Sequence, residues 1–260
     1  MSRCLVAVSA IVIPDDHNLI ENISQFRITH ASMVNTQLKR FLRQTCIPKT
    51  LKYVLVGGGP VDQALLNRAN TIGINCFHTY GLTEMASQVF THKPNGEGCS
   101  LKYRELTIAS DGEILVKGDT LFLGYYENGS MKLKLNSEGW FQTNDLGKLK
   151  NNHLVIMGRK DNQFISGGEN IQPEEVEQYI NSLPGVIQSI VVAQNDSEYG
   201  SKPVAFIDCE SPMTTDVLKQ KLIQYIPTFK IPKAVFPWPY TQGLKPNRKI
   251  LTEMTQRDNK

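Results

Sequence analysis

Thr83 and Glu84 close the run Tyr80-Gly81-Leu82-Thr83-Glu84 and set a hydroxyl beside a carboxylate, a pair suited to holding a phosphate oxygen and its Mg²⁺. Asp145 ends the run Trp140-Phe141-Gln142-Thr143-Asn144-Asp145, where its carboxylate could accept hydrogen bonds from two ribose hydroxyls or serve as a turn residue ahead of Gly147. Arg159 follows Gly158 and suits either a phosphate or a surface salt bridge. Gly57-Gly58-Gly59-Pro60 joins a strand-like stretch to a helix-like one, as a phosphate loop does, but lacks both the GxGxxG spacing and the lysine of a nucleotide P-loop. A tight turn is the alternative, and three residues without a Cβ let a flat ligand approach the backbone closely.

Charge narrows the partners. A net +3 over 260 residues is too little for a nucleic-acid binder or a polybasic membrane surface. From Lys230 to Lys260, seven basic residues stand against two acidic ones, an excess of +5 that reads as a solvated end or as a contact with phosphates. Cys4, Cys46, Cys76, Cys99 and Cys209 are scattered, with no CxxC and no histidine at zinc spacing. They read as reduced thiols in a cytoplasmic protein, each a small buried hydrophobe. The composition, 40% hydrophobic and 20% charged, is that of a folded globular chain.

The elements that must position these residues follow from periodicity. Leu5–Ile13 is a continuous apolar run ended by Pro14, Asp15 and Asp16, too short to span a membrane, and reads as a buried strand rather than a signal peptide. A short helix is expected over 18–26. Ser32 is the expected N-cap of a helix over 33–44, whose Val34, Leu38, Phe41 and Leu42 form one stripe. Strands near 52–56 and 74–79 alternate with a helix near 62–72, which predicts a parallel α/β sheet. Tyr80–Glu84 then falls at a strand end, where such sheets bind ligands. Asp111-Gly112, Asn128-Gly129 and Glu138-Gly139 break the middle into short strands, predicting antiparallel β structure. A helix opens at Pro173 with Glu174, Glu175 and Glu177 expected in its first turn. Strands near 187–193 and 203–209 and a helix over 215–226 complete a compact α+β module.

Taken in order, Thr83-Glu84, Trp140–Asp145, Gly158-Arg159-Lys160-Asp161, Ser166-Gly167-Gly168-Glu169-Asn170-Ile171, Pro173 and Lys245 resemble the motifs of the adenylate-forming enzyme family. The stretches THASMVNTQLKR (29–40), VLVGGGPVD (54–62), TYGLTEMASQV (79–89) and GRKDNQFISGGENIQPEEVE (158–177) are most similar to its acyl-CoA synthetases of the o-succinylbenzoate-CoA ligase type, of menaquinone biosynthesis. The resemblance implies an α/β fold in which residues 1–158 are the C-terminal part of a large AMP-binding domain and 159–260 a small mobile domain. It implies ATP, Mg²⁺, coenzyme A and 2-succinylbenzoate as ligands, and leaves a homo-oligomer open.

Residue by residue, the resemblance puts Gly57, Gly58 and Gly59 beside adenine, with Tyr80 and Gly81 in the same nucleotide site. Thr83 is placed on the AMP phosphate, Glu84 on Mg²⁺, and Asp145 and Arg159 on the ribose. Asp161 matches the hinge of the small domain, Gly167 and Gly168 the pantetheine tunnel, and Lys245 the adenylation lysine. His30, Ser32, Ser87 and Gln88 are the implied substrate contacts. Leu244 and Asn144 each replace a glycine that the family usually carries. The family's Ser/Thr/Gly-rich loop ending in Lys-Gly, which wraps the ATP β- and γ-phosphates, has no counterpart, and the match covers the second half or so of a full-length ligase. The sequence therefore leaves several readings: a ligase completed by another polypeptide, an inactive remnant that binds AMP or CoA, a CoA ligase for another aryl or acyl acid, or an unrelated nucleotide-binding module.

Overall fold

The computed structural model describes residues 7–13, 19–59, 61, 63–239 and 247–257. The chain divides into two compact units, Met1–Glu105 with Gly118–Leu123 and Leu106–Lys117 with Gly124–Lys260. The first contains α1 (Leu19–Gln25), β1 (His30–Val34), α2 (Asn35–Leu42), β2 (Tyr53–Gly57), α3 (Gln63–Thr71), β3 (Asn75–Leu82), β4 (Ser87–His92) and β5 (Gly98–Ser100). Its strands form one sheet in chain order, parallel from β1 to β3 and antiparallel from β3 to β5. Parallel neighbours need crossovers, which α2 and α3 provide. Leu38, Phe41 and Leu42 of α2, Leu66 and Ala69 of α3 and Ile23 of α1 pack with Met33, Val54, Val56 and Cys76 of the strands.

Three expectations change here. Ser32 is not a helix cap: it pairs with Leu55 inside β1, and the pairing with β2 continues through Val34, so the helix starts only at Asn35. Val34 takes the cap position, its N–H donating to Gln37 Oε1 at 3.0 Å. Ala7–Ile13 is irregular, with Val8 95% and Ile13 72% exposed; an apolar run becomes a strand only against a sheet edge, and it pairs with none among the described residues. Leu5 and Val6 lie outside the described residues. Finally, Cys76 is buried, its thiol pushed up to about 11 by burial, but Cys46 and Cys99 are exposed. Cys99 sits on the edge strand β5, where one flank has no neighbouring strand among the described residues.

The second unit holds β6 (Glu105–Ile108), β7 (Glu113–Lys117), the β8–β9 hairpin (Tyr125–Glu127, Ser130–Lys132), β10 (Phe141–Lys150), β11 (His153–Arg159) and the β12–β13 hairpin (Phe164–Ser166, Glu169–Ile171). Then come α4 (Pro173–Ser182), β14 (Val186–Asp196), β15 (Gly200–Cys209), α5 (Thr215–Leu222), β16 (Val235–Pro237) and α6 (Arg248–Arg257). One sheet runs β11-β10-β7-β6 and another β14-β15-β16. Successive residues of a strand face opposite sides. Val191, Ala205 and Ile207 therefore pack with Val176 and Ile180 of α4 and with Leu218 and Leu222 of α5, while Val192, Val204 and Phe206 pack with Leu251 of α6. Glu174 and Glu175 occupy the first turn of α4 behind Pro173. Glu177, expected there too, is instead paired with Arg248 and only partly exposed, because its place on the helix faces β14, whose Val191 N–H it accepts. Among the described residues, no helix is long and apolar enough to cross a membrane.

Candidate functional site

In the first unit, the carboxyl ends of β1, β2 and β3 border a cleft of about 640 Å³, the place where a parallel α/β sheet exposes unpaired backbone and loops to a ligand. Three separated segments meet in it. It is lined by Ser32, Gly57, Gly58, Gly81, Thr83, Ser87 and Gln88 from the residues singled out in the sequence, together with Met33, Val34, Gln37, Leu55, Thr79, Leu82 and Ala86. His30 stands at the amino end of β1, stacked on Tyr53 at 4.7 Å, and does not line the cleft. Gly59, Tyr80 and Glu84 are next to lining residues without being among them. The Glu84 carbonyl accepts the Phe122 N–H at 2.7 Å, which fixes the short turn Thr83–Met85.

Backbone geometry marks this cleft as built. The β3–β4 register shifts between Tyr80 and Gly81, and a Cβ on Gly81 would lie 2.1 Å from the Ser87 carbonyl oxygen. Only glycine lets the strands approach there. Ala86 (φ +57°) and Ser87 (φ +143°) follow with positive φ, a costly conformation for residues with side chains and one that collects at ligand sites. Thr79 has a different task in the same wall, its hydroxyl donating to the Phe90 carbonyl at 3.1 Å.

The second unit carries a separate polar cluster. Asp145 and Arg159 are partners across β10 and β11. Arg159 Nη1 donates to Asp145 Oδ1 at 3.2 Å, while its Nε and Nη2 hold both Asp161 oxygens at 2.9 and 3.0 Å. Those bonds keep the Asp161 carboxyl below the usual carboxylate range. Lys160, between them in sequence, donates to Asp111 Oδ2 at 2.7 Å and to Glu113 Oε2 at 3.0 Å. The same bonds hold Asp111 low and raise Lys160. Asp145 receives further support from Thr143, whose hydroxyl accepts the Asp145 N–H at 3.0 Å and donates to the Ile114 carbonyl at 2.7 Å. Asn144 has φ +60°, a conformation that asparagine is among the side-chain-bearing residues to tolerate best.

Gly167 and Gly168 form the β12–β13 turn with φ of +58° and +89°. Gly167 donates to the Tyr199 carbonyl at 3.0 Å, and a Cβ there would sit 2.8 Å from the Tyr199 ring. A Cβ on Gly168 meets nothing within 4 Å, so this glycine faces open space. Lys245 lies outside the described residues. Glu113 and Lys160 escaped the sequence reading, although Lys160 sits inside the Gly158–Asp161 motif. Gln37 and Thr79 lie inside the stretches 29–40 and 79–89 that carry the resemblance, but neither was singled out as a site residue.

Comparison with known proteins finds relatives for both units. The AMP-binding enzyme family model matches residues 2–126, and the model of the AMP-binding enzyme C-terminal domain matches residues 175–240. The 2-succinylbenzoate–CoA ligase of Haemophilus influenzae is 38% identical over 248 residues, which cover 90% of this chain and 55% of that protein. That of Escherichia coli is 37% identical over 265 residues, covering 99% of this chain and 57% of that one. Among solved structures, a variant of E. coli MenE with bound OSB-AMS matches with a TM-score of 0.85 at 36% identity, covering 94% of this chain and 54% of that one. Bacillus subtilis MenE, in complex with the acyl-adenylate intermediate OSB-AMP, matches with a TM-score of 0.78 at 29% identity, covering 91% and 53%. The chain thus spans about half the length of the curated relatives it matches. Two family models placed in the expected order, on a mixed sheet and an α+β module that carry the family's motifs at its turns, lead to one conclusion: the chain belongs to the AMP-binding enzyme family.

Proposed function

We propose that this chain serves the ATP-dependent ligation of 2-succinylbenzoate to coenzyme A. In the first half-reaction, a substrate carboxylate oxygen attacks the α-phosphorus of ATP and pyrophosphate leaves. In the second, the thiolate of CoA attacks the acyl carbon and AMP leaves. The observation that carries this reading is the cleft at the carboxyl ends of β1–β3, which gathers Ser32, Gly57, Gly58, Gly81, Thr83, Ser87 and Gln88 from three stretches of sequence.

In this reading Gly57–Gly59, Tyr80 and Gly81 accommodate the adenine side of the nucleotide and Thr83 binds its phosphate. Ser32, Ser87 and Gln88 contact the acid, beside the apolar wall of Met33, Val34 and Leu55. Asp145, held by Arg159, accepts from the ribose hydroxyls. Asp161, clamped in the short turn Lys160–Asn162, is the hinge between residues 1–158 and 159–260. In the same reading Glu84, next to the cleft-lining Thr83, would hold Mg²⁺ together with nucleotide oxygens. That ion would neutralise phosphate charge. A cytoplasmic location belongs to the same reading, on the scattered spacing of the five cysteines.

The test is AMP and thioester production by the purified chain with ATP, Mg²⁺, CoA and 2-succinylbenzoate, in competition with benzoate and a fatty acid. Selective turnover of 2-succinylbenzoate is expected; equal use of the competitors overturns the substrate assignment. AMP binding without turnover would restrict this chain to nucleotide binding.

A second expectation concerns the CoA path. Gly168→Leu should slow thioester formation by about tenfold or more, because it fills space that a thin ligand must pass, while pyrophosphate release continues. The side chain would point into open space rather than into the protein. An unchanged thioester rate removes Gly168 from the tunnel.

A further inference from the structure

Glu113 opens β7 and is 1% exposed, although a buried carboxylate is costly unless its oxygens are paired. Both oxygens are engaged. Oε1 accepts the Asn144 N–H at 2.8 Å; Oε2 accepts from Lys160 Nζ at 3.0 Å and from Gln142 Nε2 at 3.4 Å. The β7–β10 register breaks between Gln142 and Leu146. Across that break no β7 carbonyl is in register to receive the Asn144 N–H, and the Glu113 side chain supplies the missing acceptor. The bulge it supports holds Asn144 at φ +60° and presents the next residue, Asp145, to Arg159. Lys160, adjacent to Arg159, supplies the compensating charge.

We propose that Glu113 is a positioning residue for Asp145: its buried carboxylate replaces a strand carbonyl, pins the bulge at Asn144, and so fixes the direction in which Asp145 meets the ribose hydroxyls. The inference rests on the reading of Asp145 as the ribose ligand. It also accounts for the asparagine at position 144, since a left-handed residue carrying a Cβ needs an external acceptor to hold it in place.

The experiment compares binding of AMP and of 2′-deoxy-AMP to the full chain by calorimetry, alongside thermal stability. Asp145→Ala is the reference and should weaken AMP and erase the preference over the deoxy analogue. Glu113→Ala should weaken AMP about tenfold, the size of effect that follows from misplacing an oriented group, and reduce the preference towards that of Asp145→Ala. Adding Asn144→Gly to Glu113→Ala should recover most of both losses, because glycine takes up the left-handed conformation unaided. Should Glu113→Ala fail to fold, Asn144→Val disturbs the same bulge from an exposed position, and the same loss of discrimination is expected. A Glu113→Ala chain that melts earlier yet keeps its preference for AMP, or an Asn144→Val chain that folds and keeps it, overturns the positioning role. Asp145→Ala with undiminished AMP affinity overturns the ribose reading itself, and the inference with it.

Discussion

Replacing Lys245 with alanine is expected to slow adenylate formation by about 10²- to 10³-fold, the loss typical of one oriented donor at a developing oxyanion. Thioester formation from a supplied acyl-adenylate should keep nearly its full rate. Charge grows on the α-phosphate as the carboxylate attacks, and an ammonium bridging the two groups stabilises that state more than the bound reactants. Once the adenylate exists, the second half-reaction no longer needs the bridge. Loss of both half-reactions alike would contradict the assignment. Lys249 is the natural control, an exposed neighbour whose N–H is capped by Asn247 Oδ1 at 2.9 Å. If Lys249→Ala reproduces the defect and Lys245→Ala does not, the lysine has been misassigned, an outcome that Leu244 in place of the usual glycine makes worth testing.

Local pattern made some of this molecule legible and left the rest to tertiary structure. Three of the four residues of the expected stripe, Leu38, Phe41 and Leu42, are buried on α2, because helical spacing is a property of consecutive residues, while Val34 ends β1 instead. Thr83, Ser87 and Gln88 could be picked out because one short motif carries them past a strand end. Gln37 and Thr79 border the same cleft and sit inside the stretches 29–40 and 79–89, yet nothing in those stretches singles them out, since what places them there is the pairing of β1, β2 and β3. Ser32 shows the opposite failure. A serine ahead of a helical stripe satisfies the capping rule equally well whether the chain has left the sheet or not, and only the partner strand decides. Glu113 was passed over as a residue after the Asp111-Gly112 turn; its burial depends on Asn144 and Lys160, 31 and 47 residues further along. Charged residues read as surface by default, and those that a fold buries for positioning are recognised only with their partners in view.

The largest stability effect is expected at Arg248, the first residue of α6. A cation at a helix N-terminus opposes the helix dipole, so the helix itself does not account for it. Its Nη1 donates to Glu177 Oε1 at 2.7 Å and also to the Val191 carbonyl, while Glu177 Oε1 accepts the Val191 N–H at 2.7 Å. Arg248 Nη2 reaches Glu174 Oε1 at 3.5 Å. The start of α6 is thereby bound to α4 and β14 through one pair of charges, and burial pushes Glu177 up against the opposing pull of Arg248. Arg248→Ala leaves that largely buried carboxylate without a countercharge, with only the Val191 N–H to hold it, which should cost about 3 kcal/mol, the low end for a broken buried pair, because the Arg248 side chain is still 24% exposed. Urea unfolding of the second unit measures it. Arg248→Met combined with Glu177→Leu should return most of the loss, since a packed apolar pair needs no compensation for desolvation. A single-variant cost under about 1 kcal/mol would instead class the contact with surface pairs. Lys245 precedes Arg248 by three residues, so the same substitution should also slow adenylation, and a chain that loses stability with an unchanged adenylation rate would separate the anchor of α6 from the placement of the lysine.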